Sequence, residues 1–164
     1  MIRKRPKPFF RFKKIEPRRQ AYKGQFRPLN PQKYIGDINK IVFRSSWELA
    51  FMKYCDKEKT IVKWGSEEIR IPYNAFGNNK LYYPDFIIVK QLPNKSFEKY
   101  LIEIKPHIQT RKPVLKEGSR STSTYKKALY TYEVNKCKWN AAFAWCKKRN
   151  ITFKIITEKH VKFF

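Results

Sequence analysis

The sequence predicts one mixed α/β domain, a mixed β-sheet flanked by helices, with an extended basic arm at its N-terminus. Three observations predict it. A chain of 164 residues has the length of one domain. From residue 35 on, the apolar pattern changes period in the order helix, strands in hairpins, helices, strand. Residues 1–34 hold twelve Lys/Arg against one acid, Glu16, and fit neither period.

The arm carries prolines at 6, 8, 17, 28 and 31, with Phe9, Phe10, Phe12, Tyr22 and Phe26 set among the charges. Such a segment tracks a phosphate backbone and stacks on bases or on a partner protein; otherwise it is a solvated tail. It is expected to be flexible alone and ordered on a partner. Residues 35–164 are expected to form the domain.

Ser45 to Lys57 reads as a helix, because Trp47, Ala50, Phe51 and Tyr54 repeat at i, i+3, i+4, i+7. Ile61–Trp64 and Glu67–Tyr73 read as short strands punctuated by Gly65-Ser66. Asn74–Lys80, with Gly77-Asn78-Asn79, reads as a turn. Leu81–Lys90 is a strand rich in aromatic and β-branched residues, Gln91–Phe97 a turn, and Glu98–Lys105 a strand stopped by Pro106. Residues 107–123 are polar and basic and read as a loop. Thr124–Glu133 and Lys136–Arg149 read as two helices, the second with a Trp139, Ala142, Phe143, Cys146 stripe, and Ile151–Ile156 as a last strand.

Composition narrows the function. Thirty-eight Lys+Arg against 13 Asp+Glu give a net charge of +25. A surplus this large repels itself unless a polyanion is near, and nucleic acid is the usual one. With 41% hydrophobic and 16% aromatic residues the chain has material for a core, which excludes a wholly disordered chain. The longest aliphatic runs, such as Phe86-Ile87-Ile88-Val89, are far below the roughly 20 apolar residues of a membrane helix. Cys55, Cys137 and Cys146 are odd in number and lack a Cys-x-x-Cys pair, which argues against a disulfide scaffold or zinc ribbon and for a reducing, cytosol-like setting. No signal peptide is read at Met1-Ile2-Arg3.

Three pieces can do chemistry. In Leu101-Ile102-Glu103-Ile104-Lys105, alternation puts Glu103 and Lys105 on one face, roughly 7 Å apart at Cα. That pair is either an exposed edge or a site. In Tyr82-Tyr83-Pro84-Asp85-Phe86, Asp85 stands in a strand that disfavours Asp, after a Pro that cannot donate to a ladder; it reads as a turn cap or as a carboxylate. A hairpin joining this strand to 98–105 would bring Asp85 and Glu103 together. Such a pair repels unless a divalent cation lies between, and hard oxygens suit Mg²⁺ or Mn²⁺. In Arg44-Ser45-Ser46-Trp47-Glu48, Ser45 and Glu48 make a capping box, or Glu48 is a third carboxylate and Arg44 a phosphate contact. His107 and His160 lack metal-ligand spacing.

The order Arg-Ser-x-x-Glu, Pro-Asp, Glu-x-Lys resembles the PD-(D/E)-x-K nuclease superfamily, including nucleases that cut transposon ends. The segment from Tyr34 on is closer still to the head completion nucleases of tailed phages. The stretches that carry this likeness are Phe43-Arg44-Ser45-Ser46-Trp47-Glu48, Val62-Lys63-Trp64-Gly65-Ser66-Glu67, Ile71-Pro72-Tyr73, Ile102-Glu103-Ile104-Lys105-Pro106, and Tyr130 to Asn135 with Lys138-Trp139 and Ala141-Ala142. The resemblance covers about four fifths of the chain and leaves out the arm.

It implies a restriction-endonuclease-like fold and a metal-dependent DNA endonuclease acting in head maturation and head–tail joining. By the same resemblance Asp85, Glu103 and the backbone carbonyl of Ile104 would hold one or two Mg²⁺ (or Mn²⁺). Glu48 would support that shell, and Lys105 would orient the attacking water. The products would be a 5′-phosphate and a 3′-hydroxyl. Arg44, Lys138, Arg111, Lys112, Lys116 and Arg120 are candidate contacts to double-stranded DNA, with solvated lysines and a solvated loop as the alternative. Other head or neck proteins are the implied partners, and the virion and host cytoplasm the implied location, with no role at a membrane. A catalytically silent DNA-binding head protein and a ribosomal-type RNA binder are the competing classes.

Overall fold

The computed structural model describes residues 22–115, 117–118 and 120–160. Its frame is a four-stranded mixed sheet in the order β3-β6-β7-β8: β3 Ile61–Ser66, β6 Phe86–Gln91, β7 Phe97–Ile104, β8 Thr152–Ile156. The pairs β3·β6 and β6·β7 are antiparallel, and β7·β8 is parallel. The mixed sheet flanked by helices is therefore the architecture the sequence predicts.

Alternation along β6 and β7 gives the sheet two apolar faces. Phe86, Ile88, Tyr100 and Ile102 join Phe51, Met52 and Cys55 of α1 (Ser46–Lys57) in one core cluster around Trp64. Leu101 and the partly buried Ile87 join Ala142 and Cys146 of α2 (Ser123–Lys147) in the other. The second cluster also contains Ile71, Tyr73, Ala75 and Tyr82 from a hairpin of β4 (Ile71–Ala75) and β5 (Asn78–Tyr82).

Several elements differ from expectation, each for a local reason. The turn expected over 74–80 shrinks to Phe76-Gly77, both at positive φ (52° and 79°), and the residues around it pair as Ala75↔Asn78. Phe76 bears that strained backbone while stacked on Tyr130, with ring centroids 5.2 Å apart. The strand expected over 81–90 is two strands, because Pro84 supplies no donor and the chain breaks at 83–85. The two helices expected over 124–133 and 136–149 are one, since no Gly or Pro stands between them. The buried faces are also rotated. Met52 and Cys55 are buried where Trp47 and Ala50 are not, and Phe143 is 63% exposed. The loop after Pro106 begins with a 3-10 turn, His107–Thr110.

The arm boundary expected at residue 34 also shifts. Residues 1–21 lie outside the described residues, but 22–34 pack on the domain. Gly24–Gln25 (β1) pairs antiparallel with Val42–Phe43 (β2), Tyr22 stacks on Phe43, and Phe26 and Tyr34 bury their rings against Trp64. The C-terminus of α1 ties this segment down. The buried Asp56 carboxylate accepts from the backbone N–H of Leu29 (2.8 Å) and Asn30 (3.0 Å). Lys33 Nζ donates to the carbonyls of Cys55 (2.7 Å), Asp56 (2.7 Å) and Glu58 (2.9 Å), where the helix leaves carbonyls unpaired and its dipole favours a cation.

Cys55 on α1 and Cys146 on α2 are buried free thiols. Burial pushes the Cys55 thiol well up. Among the described residues no helix is long and apolar enough to cross a membrane.

Candidate active site

The hairpin β6·β7 decides which acids meet. Its last ladder pair is Phe86↔Ile102. One step further along the same register sets Asp85 opposite Glu103. Both lie on the face of Leu101 and Ile87, towards α2 and the β4–β5 hairpin. Pro84 ends the pairing there, so the Asp85 carboxylate is free to accept from the N–H of Ile104 at 2.6 Å. The Asp85 carbonyl accepts from Glu67 N at 3.1 Å, and Glu67 turns away at a positive φ of 56°.

Glu103 is 2% exposed. Its Oε1 lies 2.9 Å from Lys105 Nζ, the same-face neighbour that alternation predicts. Its Oε2 accepts from the Tyr82 hydroxyl at 2.5 Å. Burial and then Glu103 hold that phenol strongly to its protonated, donating form.

The electrostatics are those of a pocket short of positive charge. Burial first, and then the Glu103 charge, push the Asp85 carboxyl up to about 8. Lys105 and the Ile104 N–H pull it down and Glu48 adds to the rise. Burial works against the Lys105 ammonium, but Glu103, Asp85 and Glu48 together raise its pKa. The Lys105 ammonium feels the charges of Glu103, Asp85 and Glu48 together.

Glu48 takes the capping geometry. Ser45, the N-cap of α1, accepts from Glu48 N at 3.1 Å. The Glu48 carboxylate in return accepts from Arg44 N (2.7 Å) and the Ser45 hydroxyl (2.8 Å). It acts on Asp85 and Lys105 through space. Among the described residues no three His, Cys, Asp or Glu side chains converge as a metal cage. The donors fit a hard cation all the same. Two neighbouring acids, one pushed up first by burial and then by the other's charge, suit an ion such as Mg²⁺, which keeps several waters and needs only one or two protein carboxylates.

The other expected contacts are spread out. Arg44 pairs with Glu67 at 3.0 Å, both partly exposed. Lys138 Nζ lies over the rings of Tyr73 (5.8 Å) and Tyr82 (5.7 Å), which brings α2 to the edge of the acidic pair. Arg111, Lys112 and Arg120 are exposed on the segment between β7 and α2, and Lys116 lies outside the described residues. His160 bonds Thr157 and His107 donates its backbone N–H to Glu158, both apart from the acidic pair. No periodicity singles out Tyr82. The signal for it is a phenol three residues before Asp85, at the strand end that faces Glu103.

A sequence model described as "TnsA-like endonuclease N terminal" matches residues 58–158, a span holding Asp85, Glu103 and Lys105. The chain belongs to the TnsA-like endonuclease family. It is therefore a nuclease, and its mixed sheet is that of the restriction-endonuclease-like fold. The chain is also 41% identical over 143 residues to the "Head completion nuclease" of Enterobacteria phage T4, covering 84% of this chain and 92% of that one. That likeness must extend beyond the TnsA-like span, whose 58–158 limits leave out α1 and Glu48. No solved structure is significantly similar.

Proposed function

We propose that this TnsA-like nuclease is a Mg²⁺-dependent endonuclease that hydrolyses phosphodiester bonds of double-stranded DNA in phage head completion and head–tail joining. The observation that carries the reading is the Asp85–Glu103–Lys105 cluster: an Asp85 carboxylate bonded to the Ile104 N–H, the Glu103 carboxylate just before it on the same strand, and an ammonium 2.9 Å from Glu103. The likeness to the phage T4 head completion nuclease supports the setting, in the virion head or neck and in the host cytoplasm during assembly, with other head or neck proteins as partners.

Asp85, Glu103 and the Ile104 carbonyl would hold the cation, with Glu48 acting through water from its cap. When bound, such a cation would supply Lewis-acid chemistry, polarising a phosphoryl oxygen and activating a water. Lys105 does the rest from this chain. Its Nζ, kept charged by its acidic neighbours, orients the attacking water and stabilises charge building on the phosphoryl oxygens. Arg44, Lys138, Arg111, Lys112, Lys116 and Arg120 would bind the DNA backbone. Such contacts position the duplex without reading its sequence, so cleavage should be only weakly sequence-selective.

The test is conversion of supercoiled plasmid with Mg²⁺ or Mn²⁺, set against EDTA and against Asp85→Ala. Nicking that needs the metal and Asp85 supports the reading. Salt-sensitive binding without nicking at any metal concentration would favour a silent structural protein, and a preference for folded RNA would favour a ribosomal-type binder.

A further inference from the structure

Each acid of the pair is tethered through one oxygen to a donor that is itself fixed. For Asp85 the donor is the backbone N–H of Ile104. For Glu103 there are two candidates. Lys105 reaches Oε1 on a flexible four-carbon stem and its side chain is 27% exposed. Tyr82 reaches Oε2 from the end of β5, 3% exposed and packed in the second core cluster. Its backbone is held in the β4·β5 ladder opposite Ile71, and Lys138 Nζ lies 5.7 Å from the centre of its ring.

A buried phenol needs an acceptor, but any core carbonyl would serve that need. This one instead uses the side-chain carboxylate that faces Asp85. A carboxylate with only the Lys105 contact could swing with that side chain. The phenol adds a second contact, on the other oxygen, from a donor fixed in the core. The Lys138 cation over the ring adds to this, because it draws electron density from the phenol and makes its O–H a better donor.

The geometry points to Tyr82 as a positioning residue for the metal-binding pair: its hydroxyl holds the Glu103 carboxylate turned towards Asp85 before a cation arrives. The inference rests on the reading of Asp85 and Glu103 as metal ligands. It goes beyond that reading by assigning their preorganisation to one oxygen atom, on a strand outside the central sheet. Partners that orient metal-binding side chains typically change metal affinity or activity about 10–100-fold when removed.

The experiment is Mn²⁺ binding without DNA, followed by calorimetry and by the loss of the free-ion paramagnetic resonance signal. Wild type, Tyr82→Phe and Asp85→Ala are compared, with melting of the metal-free proteins as the check on folding. The expected result is binding by wild type, its loss in Asp85→Ala, and a roughly tenfold or greater weakening in Tyr82→Phe, measured at a temperature where its melting curve shows it folded. A purely structural hydroxyl would lower the melting temperature and leave the Mn²⁺ affinity of the folded fraction alone. If wild type and Asp85→Ala behave as expected and Tyr82→Phe binds like wild type, the Tyr82 assignment falls and the metal reading stands. If wild type binds nothing, or Asp85→Ala binds equally well, both fall. Should Tyr82→Phe not fold, the wild type still decides. With ¹³C at the tyrosine Cζ atoms, Mg²⁺ should move the Tyr82 resonance, and a resonance unmoved at saturating Mg²⁺ would overturn the assignment.

Discussion

The Asp85 carboxylate accepts a hydrogen bond from the Ile104 backbone N–H at 2.6 Å, across the end of the hairpin that joins β6 to β7. This single bond links the Pro-Asp and Glu-x-Lys pieces of the sequence. It fixes the first acid against the backbone of the strand that carries the second. Its consequences, and those of the packing that supports it, are measurable one residue at a time.

Lys105→Met keeps the length of the side chain and removes the charge. Cleavage should fall about 100–1000-fold, the range seen when one group that stabilises charge in the transition state is removed. DNA binding at low salt should change little, because only one charge of a net +25 is removed. Steady-state nicking with a parallel binding titration checks both.

Asp85 gives the metal-free protein a pH signature. Its carboxyl is pushed up to about 8, by burial and by Glu103, while the unfolded chain has it near the ordinary 3.8. Between those values the folded state binds the extra proton. The contribution to stability is therefore complete below about 4 and is lost as pH rises through about 8. Asp85→Asn should flatten this fall and melt a few degrees higher than wild type at pH 8 without metal. Adding Mg²⁺ should flatten it in the wild type as well, since a cation replaces the proton. Melting curves from pH 5 to 8.5, with and without Mg²⁺, measure the effect.

Asp56→Ala should cost about 2–3 kcal/mol, because the Leu29 and Asn30 N–H groups lose a buried carboxylate acceptor. At this chain length that is about 5–10 °C in melting temperature. The unfolding midpoint in urea checks it. Substituting an exposed residue of the same segment, such as Arg27, should change little.

Replacing Arg111, Lys112 and Arg120 together by Gln should weaken duplex DNA binding by a similar factor for every sequence. It should also make the slope of log affinity against log salt shallower, by about 0.9 for each phosphate that is no longer neutralised. Filter binding between 50 and 300 mM salt on two unrelated duplexes tests it. A change confined to one sequence would contradict the backbone-only role.

Ser45→Ala removes the hydroxyl that accepts from Glu48 N and donates to its carboxylate. It should cost about 1 kcal/mol through the missing cap. It should also free Glu48 to turn, so activity at limiting Mg²⁺ should change while activity at saturating Mg²⁺ does not. Measuring both on one preparation separates the cap from the site.

Much of this was legible in the residues, for identifiable reasons. Alternation alone sets Glu103 and Lys105 on one face, and the 2.9 Å ion pair is its outcome. The hairpin that would bring Asp85 to Glu103 is readable because Pro84 and the turn after Gln91 bound two β-rich runs. What periodicity misses is set by packing between distant segments. Phe26 and Tyr34 look like members of a charged tail, yet they bury against Trp64 because α1 leaves a polar end that Lys33 and the Leu29-Asn30 backbone fill. The burial of α1 on Met52 and Cys55 and the exposure of Phe143 likewise follow from where the sheet sits, which a stripe of apolar residues does not fix. Tyr82 escapes because its partner is 21 residues away and its neighbours in sequence suggest only a strand.

The most direct measurement is a crystal soaked with Mn²⁺ and examined by anomalous diffraction. A peak is expected between the carboxylates of Asp85 and Glu103, within bonding distance of the Ile104 carbonyl oxygen and absent from Asp85→Ala crystals. A wild-type crystal at saturating Mn²⁺ with its ordered metal elsewhere, or with none at this pair, would contradict the assignment of these two acids as metal ligands.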